Sequence, residues 1–232
     1  LSLKKLTVFG QAGSAQESAK FLLEELPVRL ANIMQEIHLL PERLVQTPSA
    51  SMVVGWYEQS FRELVDFEDH ALEGKNLDKF TDMLAGIRDR HSRVVETMAE
   101  GVMEMQERHG SDMVINNQVQ YFLDRFYMMR ISIRMLINQH VLLFGPELNK
   151  ERRFVGSIDP NCNVVEILDN AYHDAKYLCE HYYAGSPDIS TRLLNGICSI
   201  ISKRIDLADE TGAIRLTYVP SHLHHILFEL IK

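Results

Sequence analysis

The chain has 232 residues, of which 46% are hydrophobic and 24% are charged, and its formal net charge at pH 7 is −8. These values are typical of a globular protein with one or two domains, and the acidic balance argues against a general nucleic-acid binder. No apolar run reaches the roughly 20 residues that a membrane-spanning helix needs.

The three cysteines, Cys162, Cys179 and Cys198, include no C-x-x-C pair. An odd number without metal-ligand spacing predicts free thiols in a reducing compartment and no zinc site. Because Leu1 is not a natural start, we expect that a removed or omitted leader precedes it.

The first segment, Leu1–Gly10, has apolar residues at helical spacing but is too short to be stable alone. We expect it to pack on its own domain or to line a groove for a partner. Ser14 and Glu17 have the spacing of a capping box at the start of a helix. Within that helix, Pro27 predicts either a kink or the start of a new helix, and Pro41 ends the apolar stripe.

Two further helices are predicted before residue 110. Thr47-Pro48-Ser49 predicts a loop and helix cap, followed by an amphipathic helix over Val53–Phe67. Apolar residues from Leu77 to Met105 then predict one long helix that ends near Gly110. His91 occupies an apolar position in it, where a buried histidine with one hydrogen bond is the simpler interpretation and ligand sensing the alternative.

The central predicted helix covers Gln118–Gly145, where apolar residues recur at steps of three and four until Gly145-Pro146 stops it. A second face carries Arg130 and Arg134, and like charges four residues apart repel slightly. Such a pair either contacts acids on a neighbouring helix, which is the simpler interpretation, or holds an anion. Together with the preceding helices, this one predicts an antiparallel bundle of four long helices.

The rest of the chain predicts a unit of another kind. Glu151–Asp159 has the character of a linker, and Val164–Tyr182 has helical spacing. Alternating apolar residues at 214–218 predict a strand, after which Pro220 starts a helix that runs to Lys232.

Familiar nucleotide and metal motifs are missing from the sequence, including the P-loop, G-x-G-x-x-G, H-E-x-x-H and E-x-x-H. The suggestive local pair is His225 and Glu229, four residues apart on the last predicted helix. Such a pair allows a carboxylate to act as a general base tuned by the histidine, although a solvent-exposed pair is the more frequent outcome.

Several blocks of the chain are long and unusual, namely ELPVRLANIM, LVQTPSA with WYEQSF, IRDRHSRVVETMAEGV, QYFLDRFYMMRISIRMLINQH, GSIDPNCNV and YVPSHLHHILFELIK. They closely resemble the mitochondrial pyruvate dehydrogenase kinases. The likeness covers nearly all of Leu1–Pro187 and resumes at Tyr218. The branched-chain ketoacid dehydrogenase kinase is a poorer match to ELPVRLAN and to the LINQH block.

The resemblance implies a mainly α fold, with an antiparallel four-helix bundle for regulation and lipoyl docking over residues 1–150. Residues 151–232 would begin an α/β GHKL (Bergerat-type) ATP-binding domain. The implied activity is ATP-dependent serine phosphorylation of the pyruvate dehydrogenase α subunit in the mitochondrial matrix, which inactivates the complex and regulates glucose oxidation. The implied cofactors are ATP and Mg²⁺, and the implied partners are a second copy in a homodimer and the lipoyl domain of dihydrolipoyl acetyltransferase.

Site residues follow from the same resemblance. Glu229 matches the family's general base, which takes the serine proton while Mg²⁺ and positive groups stabilise the transferring phosphoryl, and His225 matches the histidine that supports it. The family's pyruvate or dichloroacetate site matches Leu30, Tyr57, Ser60, Ile87, Arg88, His91, Arg130, Ile133, Arg134 and Ile137. The family's lipoyl pocket matches Leu1, Leu6, Phe9 and Phe21.

Two departures from the family pattern bear on function. Asp188–Thr217 is longer than the corresponding loop of the family, and Lys232 stands just before the asparagine expected to bind Mg²⁺ and before the Gly-rich boxes that hold ATP. We therefore expect that this chain alone does not bind MgATP tightly, which isothermal titration tests. An alternative function is a non-catalytic module that binds the lipoyl domain or small carboxylates. A third, a helical scaffold without a small-molecule site, leaves the arginine pair unexplained.

Overall fold

The computed structural model describes residues 2–68, 70–110, 113–146, 153–189 and 214–232, with the helix but not the side chains of residues 113–116. Within these ranges the fold is mainly helical with a small two-stranded sheet, which confirms the expected fold class at that level. The helices are α1 (Leu3–Ala12), α2 (Ala15–His38), α3 (Glu42–Val45), α4 (Pro48–Asp66), α5 (Lys75–Arg90), α6 (Val94–His109), α7 (Met113–Phe144), α8 (Val164–Tyr183) and α9 (Pro220–Ile231). The strands are β1 (Asp159–Asn163) and β2 (Arg215–Tyr218).

The chain divides into two compact units. The helical unit takes in Ala12–Leu148, and the sheet-containing unit takes in Leu1–Gln11 together with Asn149–Lys232. In the helical unit, α2 packs against α4, α5 and α7, while α4 packs against α6 and α5 against α7. Its core consists of fully buried apolar side chains, among them Leu26, Ile33 and Phe126, and their burial is the main source of stability.

Capping residues lie at the starts of α2 and α4, as the sequence predicts. At α2 the Glu17 amide donates to Ser14 Oγ at 3.2 Å and the Ser14 amide donates to Glu17 Oε2 at 3.0 Å, which confirms the capping box. At α4 the hydroxyl oxygen of Thr47 accepts from the Ala50 amide at 3.3 Å, and Pro48 occupies the first helical position.

Pro27 lies inside α2 and does not begin a new helix, so that branch of the prediction is wrong. A proline in a helix forfeits one backbone hydrogen bond and crowds the preceding turn. Leu26 and Leu30 beside it are 0% and 1% exposed. Burial of this apolar stripe on both sides of the proline keeps the segment helical.

The single long helix expected from Leu77 to Met105 is wrong, because the chain turns at residues 91–93 between α5 and α6. His91 (φ −85°, ψ 6°) and Arg93 (φ −97°, ψ 12°) leave the regular helical geometry. Arg130 Nη2 donates to the backbone carbonyl oxygen of His91 at 2.7 Å. A contact from α7 thus stabilises a turn that the local apolar spacing does not reveal.

The central helix is confirmed as α7, which runs without interruption to Phe144. The Gly145 amide donates to the Val141 carbonyl oxygen at 2.9 Å, and a Cβ added at Gly145 would lie 2.4 Å from that oxygen. Only glycine fits this close approach, so the predicted stop signal acts through sterics.

The sheet-containing unit holds β1 and β2, which pair antiparallel with Cys162 opposite Leu216, and α8 packs against α9. The predicted helix at 164–182, strand at 214–218 and helix from Pro220 are confirmed. The sequence did not reveal β1, because its residues DPNCN do not alternate and include types that are rare in strands. Predictions for residues 190–213, which include Cys198 and most of Asp188–Thr217, lie outside the described residues.

The linker expected at Glu151–Asp159 is wrong for its second half. Val155 and Ile158 form an isolated β-bridge, and Asp159 is 0% exposed. Arg153 Nη2 contacts the Asp159 carboxylate at 2.6 Å, and the Asn161 amide donates to it at 2.9 Å. This paired, buried carboxylate orders a segment whose composition alone is loop-like.

Among the described residues Cys162 and Cys179 are free thiols, as predicted. None of the described helices has both the length and the apolar character to cross a bilayer.

Candidate functional site

The arginine stripe of α7 faces a small cavity in the helical unit, which we call the anion cavity. Its lining comes from α4, α5, the turn after α5 and α7, and consists of Tyr57, Arg88, His91, Arg130, Ile133, Arg134 and Ile137. The cavity volume is about 10 Å³, which is room for about one water molecule. Seven of the ten positions expected for a carboxylate site are therefore brought together.

The simpler interpretation of the arginine pair, contact with acids on a neighbouring helix, does not hold in the described structure. Within the described part of the chain, no carboxylate oxygen lies within 4.0 Å of Arg130 or Arg134. Arg130 instead donates to the backbone carbonyl oxygen of His91. Since the described lining residues include three arginines and no acidic side chain, the cavity carries positive charge and attracts an anion.

Three buried polar atoms of the lining have no hydrogen-bond partner among the described residues: the Tyr57 hydroxyl, Arg130 Nε and Arg134 Nη1. Native proteins rarely leave such groups unsatisfied, because each costs about 1–3 kcal/mol. All three are donors, and a carboxylate accepts several hydrogen bonds at once. The unpaired donors therefore match a small carboxylate.

The protonation states of Tyr57 and Arg130 are compatible with the binding of a carboxylate. Burial raises the pKa of Tyr57, so its hydroxyl keeps its proton and remains a donor. Burial lowers the pKa of Arg130, with Tyr57 opposing and Arg134 reinforcing the shift, yet a guanidinium stays charged in proteins. A bound anion would offset the cost of burying this charge.

His91 is buried and hydrogen bonded, with Nε2 lying 3.0 Å from Ser60 Oγ and 3.3 Å from the Trp56 carbonyl oxygen. Burial lowers the pKa of His91 to about 4, opposed by the Trp56 carbonyl and reinforced by the nearby arginines. Ser60 gives its only hydroxyl proton to the Trp56 carbonyl at 2.8 Å. The neutral ring must therefore carry its proton on Nε2 and donate to Ser60.

The remaining expected positions, Leu30, Ser60 and Ile87, are fully buried in the helical unit but do not line the cavity itself. Sequence reasoning missed Arg90. This residue donates to Ser60 Oγ at 2.8 Å and forms a bidentate salt bridge with Glu63 at 2.7 and 3.0 Å. Its position beside the unusual His91 is the only signal that the sequence offers.

The expected phosphotransfer residues His225 and Glu229 lie one turn apart on α9, and both are exposed. The Glu229 carboxylate contacts Lys232 Nζ at 2.9 Å, and the pKa of Glu229 is lowered by Lys232 first and by the charge of His225 as well. An ionised carboxylate beside a histidine is able to accept a proton. His224 Nε2 lies 3.0 Å from Asp174 Oδ2 and connects α9 with α8.

Of the expected lipoyl-pocket residues, Leu6 and Phe9 are half-buried on α1 and belong to the sheet-containing unit. Phe21 lies on α2 in the helical unit and is 40% exposed, which is unusual for a phenylalanine. Leu1 lies outside the described residues.

Comparison with known proteins gives a consistent result. The family model described as mitochondrial branched-chain alpha-ketoacid dehydrogenase kinase matches residues 1–159. The chain is 48% identical to mitochondrial pyruvate dehydrogenase (acetyl-transferring) kinase isozyme 1 of Homo sapiens, over 100% of this chain and 52% of the relative. It is 46% identical to isozyme 4 of Mus musculus, over 100% of this chain and 54% of the relative.

The corresponding kinase of Ascaris suum is also 46% identical, over 100% of this chain and 55% of the relative. The chain thus spans about half the length of the curated relatives that it matches. The family-model match covers most of the chain, and the relatives match all of it. The chain therefore belongs to the family of mitochondrial pyruvate dehydrogenase and branched-chain alpha-ketoacid dehydrogenase kinases.

Proposed function

We propose that the chain is part of a mitochondrial kinase that phosphorylates serines of the pyruvate dehydrogenase α subunit and so inactivates the complex. The identity of 46–48% to relatives that carry the name pyruvate dehydrogenase kinase supports this activity and the mitochondrial matrix as its location. In this proposal the helical unit carries regulation, and α9 carries the beginning of the phosphotransfer site in an ATP-binding domain of the GHKL type.

The anion cavity carries the regulatory part of the proposal. Two guanidiniums without a carboxylate partner in the described structure, together with the unsatisfied Tyr57 hydroxyl, fit a small carboxylate such as pyruvate or dichloroacetate. The apolar side chains of Ile133 and Ile137 would contact the methyl group of pyruvate or the dichloromethyl group of dichloroacetate. Because the cavity holds only about one water molecule, we expect side chains of the lining to move when the ligand enters.

The phosphotransfer part rests on α9. Among the described residues, no three acidic, histidine or cysteine side chains lie close enough to hold a metal ion. We assign to this chain a proton transfer, in which Glu229 accepts the proton of the substrate serine and His225 supports the ionised carboxylate. ATP and Mg²⁺ supply the phosphoryl group and its charge stabilisation in the proposed kinase.

We also propose that the lipoyl domain of dihydrolipoyl acetyltransferase is the docking partner and that the kinase is a homodimer. The exposed aromatic ring of Phe21, on α2 of the helical unit, supports an apolar docking surface there. An exposed aromatic side chain is a frequent anchor in protein recognition.

Ligand-induced thermal stabilisation tests the regulatory proposal. At a dichloroacetate concentration one hundred times its Kd, we expect the chain to gain about 2.7 kcal/mol of stability. Arg130→Gln should abolish that gain, because it removes one of the two guanidiniums that have no carboxylate partner among the described residues. Arg125→Gln is the matched control on the same helix, since Arg125 is exposed and pairs with Glu36. No stabilisation of the unsubstituted chain would favour the scaffold alternative.

A further inference from the structure

A second cavity lies beside the anion cavity, and its lining shares no residue with it. It has a volume of about 190 Å³, far larger than the anion cavity. The lining includes Met52, Trp56, Arg90, Arg93, Thr97 and Glu100, which come from α4, the end of α5, the turn that follows it, and α6. Trp56 and Arg90 directly precede the anion-cavity residues Tyr57 and His91 in the sequence, so the two cavities lie next to each other.

One wall of this Trp56 cavity is apolar. It consists of the indole of Trp56 and the thioether side chain of Met52, one turn apart on α4. Met52 is 51% exposed, so it leaves this wall open to solvent. Aromatic rings stack on indole, and a methionine side chain adapts to the edge of a ring. This wall therefore suits a flat, apolar group.

The lining also contains two cationic side chains, Arg90 and Arg93. Arg90 is held in place by Glu63 and Ser60, and its side chain is only 18% exposed. Arg93 is 68% exposed and contacts Glu96 at 3.1 Å and Glu100 at 3.9 Å. Ion pairs between such exposed side chains contribute little, so Arg93 is able to turn toward another anion.

One carboxylate, Glu100, also lines the cavity and opposes an anionic ligand. Its contact with Arg93 at 3.9 Å is long, so a ligand carboxylate in direct contact with the guanidinium is able to replace it. Because Arg93 is positive and Glu100 is negative, removal of either charge should change the affinity for an anion in opposite directions. That difference makes the site testable.

We propose that the Trp56 cavity is a second small-molecule site, which binds an aromatic carboxylate. The ring of the ligand lies against Trp56 and Met52, and its carboxylate contacts Arg93 with Arg90 nearby. A pocket with a mainly apolar wall and a few directed polar groups is the usual form of such a site. This proposal does not depend on the ligand of the anion cavity.

Trp56 fluorescence reports on this cavity directly, because the sequence contains one tryptophan. We expect benzoate to change the emission in a saturable way. Benzyl alcohol lacks the charge and acetate lacks the ring, so each should bind at least about tenfold more weakly. Absence of a saturable change with benzoate overturns the proposal.

Substitutions decide which residues are responsible. Arg93→Gln should weaken benzoate binding about tenfold and Glu100→Gln should strengthen it, because the charge in the cavity changes in opposite directions. Arg62→Gln is the matched control, since Arg62 is 73% exposed on α4 and outside the lining. Equal affinity in Arg93→Gln and the unsubstituted chain contradicts the site.

Benzoate in the anion cavity would also be close enough to affect Trp56, so one further variant is needed. Arg134→Gln alters the anion cavity and leaves the Trp56 cavity intact. We expect unchanged benzoate affinity in this variant and loss of the dichloroacetate effect. If Arg134→Gln abolishes the fluorescence change, benzoate binds in the anion cavity and the proposal is wrong.

Discussion

Arg130 on α7 donates a hydrogen bond of 2.7 Å to the backbone carbonyl oxygen of His91, which is 39 residues earlier in the chain. The same contact stabilises the turn between α5 and α6 and holds a guanidinium against the anion cavity. His91 in turn donates to Ser60 on α4. Three elements of the helical unit therefore meet where the proposed ligand binds.

We expect the Tyr57 hydroxyl to lower the stability of the folded protein while it strengthens the binding of dichloroacetate. It is buried without a partner in the described structure, so Tyr57→Phe removes an unsatisfied group and should leave the protein equally stable or up to about 1–3 kcal/mol more stable. The same variant should bind dichloroacetate about tenfold more weakly, because one donor is lost. Thermal unfolding with and without ligand measures both effects. A less stable variant with undiminished binding would contradict the proposed role.

A buried histidine connects three helices away from the anion cavity. His140 on α7 contacts Ser18 Oγ through Nδ1 at 2.8 Å and Thr81 Oγ1 through Nε2 at 3.1 Å. Both ring nitrogens of His140 therefore have a hydroxyl partner, one on α2 and one on α5.

Removal of either hydroxyl leaves a ring nitrogen of His140 unpaired. Ser18→Ala and Thr81→Val should each destabilise the chain by about 1–3 kcal/mol, as urea unfolding would show. Ser51→Ala on the exposed face of α4 is the control and should change stability by less than about 0.5 kcal/mol. Equal effects in all three variants would argue against the network.

Both buried histidines make stability depend on pH. Burial lowers the pKa of His91 and of His140 to about 4, from an ordinary value of 6.5. Between these values the unfolded chain binds more protons than the folded chain, so stability is lost as pH falls from 6.5 toward 4. Each histidine accounts for roughly 3 kcal/mol of this loss.

Urea unfolding at about pH 7 and about pH 5 checks this dependence. His140→Gln should remove about half of the histidine contribution to this difference, because His91 is then the remaining described histidine whose pKa burial lowers. If the substituted and unsubstituted chains show the same dependence on pH, His140 is not neutral in the folded protein.

Alanine substitution at two helical glycines, Gly86 and Gly101, should change the stability of the protein in opposite directions. A Cβ added at Gly101 in α6 would lie 3.0 Å from Thr47 Oγ1 and 3.1 Å from the Ala50 backbone nitrogen, whereas one added at Gly86 in α5 has nothing within 4 Å. Gly86→Ala should stabilise the protein by up to about 1 kcal/mol, since alanine favours the helix.

Gly101→Ala should destabilise the protein by about 1–3 kcal/mol despite that preference, because α4 and α6 must move apart. Thermal unfolding of the two variants side by side measures the difference. A stabilising Gly101→Ala would show that α6 does not pack tightly against the start of α4.

The sequence by itself determined those structural features that depend on residues close together in the chain. The capping box of α2, the cap of α4 at Thr47 and the end of α7 at Gly145 depend on contacts within a few residues, so cap residues and a glycine stop signal predict them. The resemblance to the kinase family likewise rests on short blocks of sequence. It gave ten positions for the carboxylate site before any of their contacts were known.

Only the tertiary structure decided where α5 ends, that Asp159–Asn163 is a strand, and that Arg130 and Arg134 have no described acidic partner. The turn after α5 depends on contacts from residues 31 and 39 positions away, and β1 depends on its partner strand at 215–218. Apolar periodicity records which face of a helix is buried, but it does not record what lies opposite that face. Whether a half-buried arginine contacts a carboxylate or lines a cavity is therefore decided by the packing of distant segments.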